Sequence, residues 1–330
     1  MSPPDVAPAD WDPTRYLDFA GERLRPLLDL LHRVPLRRAE RIVDLGCGTG
    51  VALAPLVRRF PAARIEALDS SAAMLERARA LCHEDAEGVG LAGADIHLQL
   101  ADIASWSDEE SDDGRDGGGR ASQQPPREQR EPGFDLVFSN AALHWLGGHR
   151  ELLPALLRRV RPGGVLAIQM PNNWAAPSHA AMRRVLATLG TPAAAATLAR
   201  LERRPGDDDS DYERWLAPHR AHLDSWESEY LQRLRAAPAG DQGDAPETTR
   251  SAVFEWVRST ALRPVEAALA QDPAAWRTFC ERYDALLRQA YPSRDDGITP
   301  FPFRRLFLVA VRSGGSSATD SEGPREPPRR

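Results

Sequence analysis

The sequence contains no lysine; all 42 of its basic residues are arginine. Schiff-base and pyridoxal chemistry, Ser–Lys nucleophiles and the phosphate-binding loop of NTPases each require a lysine amine, so all of them are excluded. Cysteine is almost as scarce. Cys47, Cys82 and Cys280 are odd in number, widely scattered and without a CxxC pair, so neither a disulfide framework nor a metal site is expected. No apolar run approaches the roughly 18 residues of a membrane helix. No basic and then apolar opening reads as a targeting signal, which points to the cytoplasm and away from a membrane. Positive charge is in deficit as well. A net charge of −6, with no basic stripe interleaved with aromatics, argues against nucleic acid as a partner.

What is present is an ordinary globular composition, 42% hydrophobic over 330 residues, enough to bury a full core. The opening "DWDPTRYLDFAGERLRPLLDLLHRVP" predicts an amphipathic helix capped by Asp12, with Pro13 at its first position. After it, "RIVDL", "RIEALD", "IHLQLAD", "FDLVFSN" and "VLAIQM" read as short buried strands. The helical stretches "VALAPLVRRF", "SAAMLERARAL" and "HRELLPALLRRV" fall between them. Such alternation predicts an α/β fold with a doubly wound, mostly parallel sheet. "HLDSWESEYLQRL" predicts a late strand, Val253–Ala270 and Pro273–Ala290 two helical stretches, and "RLFLVAV" a final strand that closes a seven-stranded sheet. Residues 107–133, acidic and rich in Gly and Pro, have nothing to bury and are expected to be a disordered insertion. Residues 313–330 are expected to be a disordered tail, and 1–312 a single domain.

In a doubly wound sheet the loop after the first strand is the usual ligand cradle. Gly46, Gly48 and Gly50 stand in that loop. Without a Cβ they permit positive φ and a close approach to the main chain, and the following helix offers N–H groups to an anion. The spacing is GxGxG, and Val51 stands where the dinucleotide fingerprint has Gly or Ala, so a smaller ligand bearing a carboxylate is favoured over a pyrophosphate. Plainer roles remain open: Asp44 capping the next helix, Asp69 capping through Ser70 and Ser71, Gly163 and Gly164 forming a turn.

These residues resemble the Rossmann-like S-adenosylmethionine-dependent methyltransferases. Asp44 with Gly46, Gly48 and Gly50 matches their first motif, "SNAALHWL" and "RPGG" their later ones. The resemblance implies S-adenosylmethionine as cofactor, with the glycines against its methionine part and Asp44 at its ammonium, directly or through water. It puts Asp69 at the ribose, Asp102 at the adenine amine with Ile103 on the ring, and Ser70 and Asn140 among the cofactor-binding residues. Longer stretches, "WDPTRYLDFAGERLRPLLDLL", "NAALHWL", "IQMPNNWAAPSH", "EWVRSTALRP" and "FPFRRLFLVA", are similar to the bacterial trans-aconitate 2-methyltransferases over nearly the whole chain. This implies a monomethyl ester formed on a carboxylate of trans-aconitate, with the amino-terminal helix and late helical insertions covering the active site.

A carboxylate is ionised at neutral pH and needs no general base. What a small polycarboxylate needs is cations to orient it, and Arg23, Arg263, Arg304 and Arg305 are the candidates. His144 and Trp145 would border the transfer site, and Trp11, Tyr16, Asn172 and Trp174 are candidates for its lid. Against each stands a structural role: core packing for the aromatics, a solvated or ion-paired surface position for any arginine. The chain departs from the family in reading Tyr212–Glu213 where relatives tend to have two consecutive tyrosines. Two other readings stay open, a methyltransferase for another small carboxylate or acyl acceptor and a cofactor-binding protein without transferase activity. A monomer is expected.

Overall fold

The computed structural model describes residues 20–84, 90–108, 133–202, 209–219, 221–235 and 250–313. Helix α1 (Ala20–Arg33) begins inside the predicted amphipathic segment; Trp11, Asp12, Pro13 and Tyr16 lie outside the described residues. So do residues 109–132 of the expected insertion and the tail from 314 onward, while Ser107 and Asp108 close a short helix.

Strands β1 (Arg41–Leu45), β2 (Arg64–Asp69), β3 (Ile96–Leu100), β4 (Phe134–Asn140), β5 (Val160–Pro171), β6 (Ala221–Arg235) and β7 (Ile298–Arg312) form a seven-stranded sheet in the order β3-β2-β1-β4-β5-β7-β6. The first five strands run parallel; β7 is antiparallel to both of its neighbours. The expectation that "RLFLVAV" closes the sheet is therefore corrected. Leu306–Ala310 is buried on both faces and takes an interior slot, whereas much of β6 is exposed or half-buried, as suits an edge. A second correction concerns "RPGG". It belongs to β5 itself, whose pairing with β4 jumps from Phe134↔Val160 to Leu136↔Val165, the mark of a bulge.

Because side chains alternate along a strand, each strand feeds two cores. On one face, Ile42, Ile65, Leu136, Phe138, Val165, Ala167 and Phe307 meet Leu27 and Leu30 of α1, Leu53 and Leu56 of α2 (Leu53–Arg59), and Leu75 of α3 (Ala72–Glu84). On the other, Val43, Val137, Leu166 and Leu308 meet Ile103 and Trp106 of α4 (Ile103–Asp108) and Leu153 and Leu156 of α5 (His149–Arg159).

A third core lies beyond the sheet. At Pro171↔Arg305 strand β5 ends, but β6 and β7 continue pairing from Ser228↔Arg305 to Arg235↔Ile298 as a two-stranded ribbon past the carboxyl edge. Leu234, Phe301 and Phe303 of this ribbon pack with α6 (Pro177–Thr188) and α7 (Pro192–Leu201). They also meet α9 (Ala252–Arg258), α10 (Arg263–Leu269) and α11 (Pro273–Ala290). Helix α8 (Asp209–Leu216) instead adds Tyr212 and Leu216 to the second core. Trp256, Phe254, Phe279 and Phe301 are fully buried in the cap. At about 1.5–3 kcal/mol for a buried side chain of this kind, the helices have an apolar drive of their own to assemble there. The predicted single stretch Val253–Ala270 is in fact α9 and α10. Pro264 stands in the first turn of α10, where its missing N–H would interrupt a continuing helix but suits the start of a new one. Among the described residues, no helix is long and apolar enough to cross a membrane, and no group of His, Cys, Asp and Glu could hold a metal.

Candidate active site

The loop after β1 folds back under the end of β2. Gly46 and Cys47 donate their N–H groups to the Leu68 carbonyl at 2.8 and 2.9 Å, and Gly48 donates to Asp69 Oδ2 at 2.8 Å. Gly46 (φ +72°) must lack a side chain, since a Cβ there would lie 2.2 Å from that of Ala142 and 3.6 Å from Ile103 Cδ1. Gly48 (φ +56°) is different: a Cβ would meet nothing within 4 Å, so this stretch of main chain faces open space where a ligand can press against it. Gly50 N–H donates to the Cys47 carbonyl at 3.0 Å and closes the turn into α2.

Asp44, 1% exposed, sits beneath the loop, and its Oδ2 has no partner among the described residues. It does not cap α2, whose N-cap has no side-chain bond. Burial, reinforced by Asp69, raises its pKa to about 7. Asp69 is raised too by burial, against the pull of its hydrogen bonds from Ser71 N (2.8 Å, to Oδ1) and Gly48 N. The carboxylate thus caps through Ser71 and retains further lone pairs; Ser70 beside it is exposed. Asp102 is exposed and accepts from Ala104 N (2.9 Å) and Ser105 N (3.1 Å) as the cap of α4, which places the buried Ile103 beside the glycine loop.

At the end of β4, Asn140 Oδ1 is buried without a partner among the described residues, and Ala141 follows with φ +56°, a left-handed conformation rarely adopted outside Gly and Asn. That turn lays Ala142 on Gly46 and leads into the 3₁₀ turn Leu143–Trp145. His144 Nδ1 is buried and has no partner among the described residues. Burial, then the fields of Arg305, His149 and His179, lower its pKa to about 3, so it is a neutral hydrogen-bonding group. Trp145, 43% exposed, packs on it with ring centroids 4.6 Å apart.

His149 Nε2 donates to the Leu143 carbonyl (2.9 Å), which leaves Nδ1 to accept from the Tyr212 hydroxyl (3.2 Å). The departure at Tyr212–Glu213 thus resolves into a buried tyrosine that steadies the His144 turn and an exposed glutamate.

The arginine candidates separate. Arg305 is 6% exposed, its guanidinium 4.5 Å from the Phe303 ring centroid and close enough to His144 to depress its pKa. Arg304, the next residue on β7, points to the opposite face and pairs with Glu229 at 3.2 Å in solvent. Arg263 is half-buried at the start of α10, and Arg23 lies on α1. Asn172 hydrogen-bonds Glu227. Trp174 lies under Arg183 (4.0 Å) and donates to the Leu201 carbonyl at 3.1 Å, a packing role within the cap. The structure therefore brings together Asp44, the glycine loop, Asp69, Ile103, Asn140, His144 and Arg305, and leaves Arg304, Asn172 and Trp174 engaged elsewhere. Gln169, His149 and His179 go unnoticed in the sequence, although Gln169 and His179 both stand in "IQMPNNWAAPSH". The signal for Gln169 is a lone amide in the apolar run "VLAIQM".

A sequence profile of a methyltransferase domain matches residues 19–237. Together with the sheet order, the glycine loop and the unpaired acid beneath it, this makes the protein a Rossmann-like methyltransferase. Over 307 residues the chain is 41% identical to the trans-aconitate 2-methyltransferase of Methylobacterium nodulans, covering 92% of this chain and 99% of that protein. It is 39% identical to that of Streptomyces coelicolor over 327 residues (95% and 90%) and 35% identical to that of Escherichia coli over 306 (92% and 99%). The chain belongs to the trans-aconitate 2-methyltransferase family.

Proposed function

We propose that the protein transfers the methyl group of S-adenosylmethionine to a carboxylate of trans-aconitate, giving a monomethyl ester. The observation that carries this reading is the similarity to named trans-aconitate 2-methyltransferases along essentially their full length, cap included. The residues suit the cofactor. Gly48 presents open main chain, and the unpaired Asp44 Oδ2 can accept from an ammonium. In this reading Asp69 would hold the ribose hydroxyls and Asp102 with Ile103 the adenine, with Ser70 and Asn140 as further cofactor-binding residues. When bound, S-adenosylmethionine supplies an electrophilic methyl carbon.

The chain's own task is alignment and exclusion of water, since the acceptor arrives already ionised. Arg305 offers a buried two-pronged cation to one carboxylate. His144, held neutral, contributes a hydrogen bond instead of a second charge, and Trp145 and the cap helices close over the site. Arg263 and Arg23 are the further cations for the remaining carboxylates.

The test incubates purified protein with methyl-labelled S-adenosylmethionine and, separately, trans-aconitate, cis-aconitate, citrate, isocitrate and a dicarboxylate, and counts base-labile ester. Trans-aconitate is expected to take up label most efficiently. Preferential labelling of another acid would reassign the substrate, and cofactor binding without any labelled acid would remove the carboxylate reading altogether.

A further inference from the structure

Gln169 is 1% exposed, yet neither Nε2 nor Oε1 has a hydrogen-bond partner among the described residues. An amide buried without partners is a standing cost to the folded state, and its strand neighbours Ile168 and Met170 show that apolar side chains suit this strand. The cost is not isolated. Alternation from Val165 and Ala167 puts Gln169 on the α1 face of β5, where its register partners are Asn140 on β4 and Phe307 on β7. Asn140 Oδ1 is also buried and unpartnered, and so, one strand further on the same face, is Asp44 Oδ2. In the other direction, Arg305 shares the face of Phe307 and sits opposite Pro171, two residues beyond Gln169. Three successive strands thus carry unsatisfied polar atoms on one face at their carboxyl ends, and the next strand adds a buried guanidinium. A single such atom is a packing defect; a contiguous row is the lining of a site for a polar ligand.

We propose that Gln169 is a substrate-binding residue, its Nε2 donating to a carboxylate oxygen of the polycarboxylate. The assignment rests on the function proposed above. The glycine loop follows β1, two strands away, whereas Gln169 stands between Asn140 and the strand that carries Arg305, which puts it on the acceptor side of the cofactor cradle. A neutral donor also orients a carboxylate without neutralising it, which complements Arg305 on a ligand with several charges.

The test replaces the amide by an apolar chain of similar length, Gln169→Met, and by a shorter amide, Gln169→Asn, which serves should the first variant not fold. Without ligand, Gln169→Met is expected to melt above the wild type, because an unpaired amide has been removed. Affinity for S-adenosylhomocysteine, read by calorimetry, should stay within about twofold, while KM for trans-aconitate rises about tenfold in both variants. The further rise in melting temperature that trans-aconitate gives over S-adenosylhomocysteine should also vanish. A wild type that labels trans-aconitate, with variants at wild-type KM or with weakened S-adenosylhomocysteine binding, overturns the assignment of Gln169 alone. A wild type that transfers no label to trans-aconitate overturns the reading beneath it.

Discussion

Asp44 shows how a single residue carries both a cost and a use. Its pKa of about 7 stands well above the ordinary carboxylate value because the group is buried and Asp69 is near. The folded protein therefore keeps a proton that the unfolded chain releases from about pH 4 upward. Stability falls as pH rises from there to about 7 and stays lowered above it. Asp44→Asn is expected to raise the melting temperature at about pH 8 and to weaken binding of S-adenosylmethionine about tenfold or more. In the wild type, cofactor affinity should climb between about pH 6 and about pH 8 as Asp44 gives up its proton to face an ammonium; a flat calorimetric profile would refute that role. Arg305 is tested differently. Arg305→Lys introduces the only lysine in the chain and keeps the charge, but loses the planar fork. KM for trans-aconitate should rise about tenfold with cofactor affinity preserved, and a lysine variant with wild-type kinetics would show that charge alone suffices.

At the level of elements, the site depends on how β5 hands over to the cap. Asn173 follows the strand's last residues, is buried, and imitates one more step of pairing. Its Nδ2 donates to the Arg304 carbonyl at 3.0 Å and its Oδ1 accepts from Arg304 N at 2.8 Å, while Asn172 N also donates to that carbonyl at 2.9 Å. This pins the backbone of β7 one residue from Arg305. Removing the amide leaves the Arg304 N–H unpaired while the carbonyl keeps Asn172 N, so Asn173→Ala should lose about 1–2 kcal/mol in denaturant titration. It should also raise KM for substrate more than it lowers cofactor affinity; a loss of stability with unchanged KM would detach the clamp from the site. Ala141 does a comparable service at the end of β4. Its left-handed turn carries His144 and Trp145 over the carboxyl edge, with its N–H held by the Gln169 carbonyl at 2.8 Å.

Across the whole molecule, the sheet supplies one wall and the cap another, with α1 packed against β5 and β7 and tied by Asp29 to the Tyr230 hydroxyl. The groups proposed to hold the cofactor, at the ends of β1, β2 and β4, come together only in the folded state. S-adenosylhomocysteine at about a hundred times its Kd should therefore add about 2.7 kcal/mol of stability, a rise of several degrees in melting temperature. Scanning calorimetry reads this directly, and a cofactor product that leaves the transition unmoved would count against the cradle.

The fold class, the parallel strands, the glycine loop and the acids around it were legible along the chain. Those features are local: alternation, helical period and the need for bare backbone are written in neighbouring residues. The slot of β7 inside the sheet was not, because burial on both faces comes from partners distant in the sequence. Nor was the choice between Arg304 and Arg305. Two adjacent arginines look alike in a string, and only the pairing register turns one toward Glu229 in solvent and the other to the buried face beside Phe303. The same holds for Gln169 and Asn140, 29 residues apart as numbered and side by side in the sheet. Whether a polar group is satisfied depends on atoms brought within about 3 Å, a property of tertiary contacts that a one-dimensional pattern does not contain.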